Sequence, residues 1–201
     1  MMNVMRNKVN NARAAAKEAT HERIVAVAAR AIRRSGYDGT GVADLMKEAG
    51  LTHGAFYAHF TSREAMLAEA ASSAFAQSAA ALAKVTSGAP PEQALASLLT
   101  AYLSKSHQEQ VATGCPLAAL GSETSRQMPD VRRAATRHVK EVIDLVARLS
   151  PDWGQPGAHQ RALVTVSTMV GALLLARAVD EPGLSDSLRE SALQHLTPSP
   201  E

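Results

Sequence analysis

Aromatic residues are scarce in this chain, at 3% of 201 positions. That argues against a strand-built core, because strands draw on aromatic and β-branched side chains. Cysteine is scarcer still: Cys115 stands alone, which excludes an internal disulfide and any cysteine-cluster metal site and suits a reducing compartment. No apolar core follows Met1 to Asn11, as a secretory signal requires. The longest apolar stretch, Ala162 to Ala176, is interrupted by Thr165, Ser167 and Thr168 and falls short of the ~18 residues of a membrane span. A cytoplasmic protein with no membrane partner is expected. Catalytic patterns are also missing: there is no nucleophile elbow, no His-Glu zinc motif and no phosphate loop. His53 and His59 do not share a metal-ligating face. The sequence therefore offers no catalytic, metal or cofactor site.

Hydrophobic residues make up 46% of the chain and charged ones 20%, enough for a real core, and the Ala- and Leu-rich balance predicts an all-α fold. Net charge is only +2, but residues 1–34 hold eight Lys/Arg against two acidic residues, a surplus of six that leaves −4 on the remainder. A basic arm ahead of a mildly acidic body fits a nucleic-acid contact, since phosphate neutralisation supplies most non-specific DNA affinity. A solvated tail is the other reading. Residues 1–17 lack apolar periodicity and are expected to be a disordered basic arm.

Helical spacing then predicts helices over about 18–35, ended by Gly36, over 42–49, ended by Gly50, and over 53–60, with Thr52 as N-cap. Ser62 caps the next, to about 84, and a Gly/Pro-rich break at 87–91 follows. Beyond it, helices are expected near 91–110, 116–127, 129–149, 158–180 and 184–196. The domain reading is a helix-turn-helix unit over 18–66 and a larger helical body over 67–201.

Two short helices joined by Gly50-Leu51-Thr52 suggest a helix-turn-helix, whose second helix enters the major groove. On a helical wheel Phe56 and Phe60 face inward, toward Leu45, Ala49 and Leu51, and Gly54, Ala55 and Ala58 face out. Thr40-Gly41-Val42-Ala43-Asp44-Leu45, Ala49 through Phe60, and Ser62-Arg63-Glu64 resemble the TetR/AcrR signature, and the close resemblance covers about residues 20–69. It implies a ligand-responsive transcriptional regulator, by family habit a repressor, bound to a palindromic double-stranded operator. It further implies phosphate contacts from Thr40, Thr52, Tyr57, His59 and Arg63, with His53, Gly54 and Ala55 nearest the bases.

The same resemblance implies a C-terminal body that binds a small-molecule inducer and dimerises through its last two long helices. The sequence supports a homodimer: from Leu163 to Ala178 the helix is apolar nearly all round, so it must be covered both by its own core and by a partner. Val164, Thr168, Gly171 and Leu175, with Leu188 of the last helix, are the expected partner-facing residues. An internal helix of a monomer is the competing reading. Pocket candidates, chosen as large or polarisable residues of the body, are Tyr102, His107, Leu117, Leu120, Met128, His138, Trp153 and Met169. Nothing in their charge points to a charged inducer, so an apolar molecule is expected. Cys115, just before Pro116, is expected at a helix N-cap, where the helix dipole favours thiolate and reaction with electrophiles. The alternative is a small buried hydrophobe.

Overall fold

The computed structural model describes residues 2–197, with side chains from residue 10 onward. Among the described residues every regular element is helical: α1 (Met2–Ser35), α2 (Val42–Glu48), a 3₁₀ turn (His53–Ala58), α3 (Arg63–Ser87), a short 3₁₀ turn (Pro91–Gln93), α4 (Ala94–Tyr102), α5 (Lys105–Glu109), α6 (Pro116–Thr124), α7 (Pro129–Leu149), α8 (Ala158–Ala178) and α9 (Pro182–Leu196).

Two apolar cores organise these elements. The first gathers Ile24, Val27, Ala28 and Ile32 of α1 and Leu45 and Met46 of α2. Phe56 and Phe60 close it from the recognition segment, and Met66 through Phe75 of α3 line its floor. The second joins Leu82 of α3 to Leu98, Leu99 and Tyr102 of α4, Val142 and Val146 of α7, and Val166, Met169 and Leu173 of α8. α3 thus feeds both cores, and Leu117 of α6 packs against both.

Local chemistry sets the joints. Gly36 ends α1 at φ +77° and bonds back to the Ile32 carbonyl at 2.8 Å. The Glu123 carboxylate of α6 lies where a Cβ on Gly36 would sit, 2.8 Å away, and accepts from the Tyr37 N–H at 2.9 Å. After α2, Gly50 at φ +71° closes a Schellman motif: its N–H reaches Lys47 O at 3.0 Å and that of Leu51 reaches Met46 O at 2.8 Å. Ser62 caps α3 by accepting from Ala65 N at 3.1 Å.

Three expectations change. The arm expected to be disordered belongs to α1, which starts at Met2. Residues 10–19 are exposed there, so the Ala-rich sequence, free of Gly and Pro, extends the helix by propensity from a packed C-terminal half. Of the arm's basic residues expected to meet phosphates, Arg6, Lys8, Arg13 and Lys17, the side chains of Arg6 and Lys8 lie outside the described residues. The single helix expected over 91–110 is broken, because the Ser104 hydroxyl donates to Ala101 O at 2.8 Å and accepts from His107 N at 3.1 Å, ending α4 and starting α5. And the recognition segment winds as a 3₁₀ turn rather than an α-helix. α8 is long and apolar enough by length and composition to cross a membrane, but it sends Ala162, Val166, Met169 and Leu173 into the second core.

Gly36→Ala should cost about 2 kcal/mol, combining a left-handed backbone with a methyl driven into the Glu123 carboxylate. The melting temperature is expected to fall by roughly 4–8 °C. An unchanged melting curve would mean that the α1–α6 joint relaxes at no cost.

Candidate functional site

The recognition segment, residues 53–60, is built by burying two rings and leaving most of the other side chains outside. Phe56 and Phe60 are buried and stack at 5.4 Å between centroids, while Tyr57 stands against Phe56 edge-on at 5.3 Å and remains 69% exposed. His53 meets Tyr57 edge-on at 6.2 Å. Thr52, His53, Gly54, Tyr57 and Ala58 form one solvent-facing surface. Thr52 occupies the N-cap position by backbone angles, but its hydroxyl makes no capping bond, because Thr52 O already accepts from Ala55 N at 3.1 Å to close the turn.

Ala55, expected on the outer face, is half-buried and packs against the first core. Three residues per turn instead of 3.6 rotate it inward. Two of the five residues expected at phosphates are spent inside the protein. Thr40 is buried and gives its hydroxyl to Gly36 O at 2.8 Å. Arg63 donates to the Tyr37 carbonyl, and through Nε and Nη2 to Thr40 O at 3.3 Å, so it fastens α3 to the α1–α2 link. His59 is half-buried with Nδ1 enclosed and unpartnered. Burial first, then the neighbouring His21 and Lys17, hold its pKa below the ordinary imidazole value.

The basic surplus of residues 1–34 is partly consumed in the same way. Arg33 is buried, donating to Gln77 Oε1 at 2.7 Å, with burial lowering its pKa to about 10. Arg34 pairs with Glu48 at 3.2 Å and Arg30 with the same carboxylate at 4.0 Å.

In the body, a cavity of about 260 Å³ opens between the second half of α3, the α4–α5 corner and the loop before α6. Three of the nine residues expected to bind or sense a ligand meet there: Tyr102, His107 and Cys115. The others are elsewhere. Leu120 lies in the first core and Met169 in the second. Leu117 lines a separate groove between α6 and α7, Met128 and Trp153 are exposed, and His138 is buried against Phe75 at 5.2 Å. Size and polarisability select core residues as readily as pocket residues, which is why the sequence did not separate them.

The cavity's polar wall is wired in one sense. His107 Nδ1 lies 2.6 Å from Tyr102 O and Nε2 lies 3.0 Å from the Cys115 N–H. A carbonyl only accepts and an amide only donates, so the imidazole is neutral with its proton on Nδ1. Burial holds its pKa down. The Tyr102 hydroxyl is buried without a partner, and burial, with the Cys115 thiol beside it, pushes the phenol well above its ordinary pKa. Cys115 takes the N-cap position of α6 by backbone angles, but its side chain makes no capping bond and it is 3% exposed.

Sequence reasoning missed two supporting residues. Glu123 gives no pattern that distinguishes it from any surface acid. Arg177, the only cation between Arg161 and the end of an apolar helix, carries such a signal: it donates to His107 O at 2.7 Å and to Gln108 O at 3.1 Å, pinning α5 to α8.

Residues 24–70 match the family described as bacterial regulatory proteins, tetR family, and residues 91–183 match the LmrA/YxaF-like transcriptional regulator C-terminal domain. The chain is 32% identical, over 168 residues covering 78% of it and 83% of the relative, to an uncharacterized HTH-type transcriptional regulator of Mycobacterium tuberculosis H37Rv. The same figures hold for the counterpart in strain CDC 1551. The chain belongs to the TetR family. Among solved structures, a TetR transcriptional regulator from Chloroflexus aurantiacus superposes with a TM-score of 0.75 at 27% identity, covering 90% of this chain and 93% of that one. Escherichia coli NemR, in its reduced form, superposes with a TM-score of 0.73 at 24% identity, covering 88% and 94%. This TetR-family protein is accordingly a transcriptional regulator whose DNA-binding domain is the helix-turn-helix around Gly50.

The regulator's shielded imidazoles, one buried and two half-buried, are expected to make its stability acid-sensitive. His59, His107 and His138 are all held below the ordinary value of 6.5, His138 at about 4, by burial first in each case. Below pH 6.5 the unfolded chain takes up protons that the folded chain refuses, so stability present above that pH is lost as pH falls toward about 4. Thermal unfolding across that range should show the fall, and His138→Leu should make it shallower. A parallel fall in the variant would assign the acid sensitivity to other groups.

Proposed function

We propose that the chain is a homodimeric repressor, released from a palindromic operator when a small, weakly polar molecule enters the cavity beside Tyr102. The observation that carries this reading is a buried phenol in the wall of a cavity with no nitrogen or oxygen partner, only the weakly bonding Cys115 thiol beside it. An unsatisfied buried hydroxyl costs stability, and a ligand carrying one hydrogen-bonding group on an apolar frame would repay that cost. Thr52, His53, Gly54, Tyr57 and His59 supply the DNA contacts, with Tyr57 and Thr52 toward phosphates and His53 and Gly54 nearest the bases. The reading puts the protein in the cytoplasm with its operator.

Tyr102→Phe separates the cavity reading from a plain core position. Removing an unpartnered hydroxyl should leave the free protein as stable as before, or more so, while weakening release of the DNA complex by small phenols in a mobility shift by about tenfold. Identical release curves would discard the cavity. The same assay with a quinone, compared between wild type and Cys115→Ser, distinguishes thiol addition, which the serine variant abolishes, from reversible binding, which it keeps.

The homodimer reading rests on where apolar surface remains. Five of the eight large apolar side chains exposed among the described residues, Leu163, Val164, Leu174, Leu175 and Leu184, lie on α8 and α9. Thr168, Gly171 and Leu188 are half-exposed beside them, and a Cβ on Gly171 would meet nothing within 4 Å. Gly171→Leu therefore fits the isolated chain but should wedge two copies apart. The expected result is a monomeric mass in solution; a persistent dimer would move the interface elsewhere.

A further inference from the structure

We infer that His21, on α1, is a positioning residue for DNA recognition, holding the recognition turn in place by its ring and by its bond to Glu69 together. The turn needs an external hold. It is six residues of 3₁₀ helix, a geometry with poorer hydrogen bonds than the α-helix, and it is entered through a glycine and left through the bend before Ser62. What fixes it is a ladder of rings. His53 stands on Tyr57, Tyr57 on Phe56, and Phe56 on Phe60. Phe60 already lies two residues past the turn, and from it the ladder crosses to α1: the His21 imidazole stacks on Phe60 with centroids 4.6 Å apart and planes 27° apart.

The last rung is itself clamped. His21 Nε2 donates to Glu69 Oε2 of α3 at 2.6 Å, so one side chain of α1 holds both α3 and Phe60, the ring two residues past the turn. The His59 ring lies 5.9 Å from the same imidazole. The titratable groups shown against His21 are Glu69 from α3 and His59 at the C-cap of the turn, and Lys17 of α1 acts on that same His59. With side chains 22% and 48% exposed, the His21–Glu69 pair is screened by water. Its contribution is to placement rather than to global stability, since the large apolar core below does not depend on it. The two exposed members of the ladder, Tyr57 and His53, are those that face DNA in the reading above, on which this inference rests.

The test uses the full chain and two DNA probes: a duplex enriched by the wild-type protein from a random-sequence pool, and a scrambled duplex of equal length at the same salt. The scrambled duplex reports phosphate attraction alone. His21→Ala is expected to lower affinity for the enriched duplex about tenfold, the size of one aromatic contact plus one charge-assisted bond lost from a placement, while scrambled binding stays within about twofold. His21→Phe keeps the stack without the donor, and His21→Gln keeps a donor for Glu69 without the ring. Each should recover part of the ratio, which a purely stabilising role would not produce. An unchanged ratio in all three variants overturns the inference, as does a parallel fall on both duplexes. Should His21→Ala fail to fold, the Phe and Gln variants decide by the same criterion. A wild-type protein that enriches no duplex would overturn the DNA docking and the inference together.

Discussion

The Glu123 carboxylate sits where the DNA-binding unit and the body meet, accepting from the Tyr37 N–H and filling the space beside Gly36. From there the contacts run both ways. Toward DNA, the Tyr37 and Thr40 carbonyls are held by Arg63 at the head of α3. Toward the body, α6 is only nine residues long and is preceded at its N-cap by Cys115, whose amide is tied to His107 in the cavity wall. One short helix thus joins the cavity wall to the Gly36 joint, and the two cores also share α3 and Leu117 by packing.

Much of the fold was legible because its punctuation is local. Gly36, Gly50, Ser62 and Pro116 each stop or start a helix by backbone chemistry that depends on one or two residues, and each does so where the sequence implies. The inward pair Phe56 and Phe60 was legible from spacing. What was not legible depends on tertiary partners. The break at Ser104 needs two bonds made by one hydroxyl. The 3₁₀ winding of the recognition turn moves Ala55 toward the core through a difference of a fraction of a residue per turn, which no hydrophobic pattern over six residues can resolve. Among the sensing candidates, Tyr102, His107 and Cys115 meet because the α4–α5 corner folds back on the loop before α6, a long-range fact without a local sign.

Charge shows the same limit from another side. The basic surplus at the N-terminus is real as a count, but Arg33 is buried against α3, and Arg30 and Arg34 converge on Glu48. Arg63, the basic residue of the recognised motif, holds carbonyls. Among the described residues of the DNA-binding unit, Arg13, Lys17 and Arg23 of α1 and Lys47 of α2 remain exposed, while the guanidiniums closer to the core hold helices together. Arginine suits that work, since its planar fork satisfies several acceptors while remaining charged.

The wiring of His107 has a chemical consequence. With Nδ1 donating to Tyr102 and Nε2 occupied by the Cys115 amide, neither nitrogen has a lone pair to offer an acylating reagent or a soft metal ion. The imidazole is chemically silent for as long as the loop before α6 stays docked. Its reactivity therefore reports the opening of that loop, at the wall of the cavity itself.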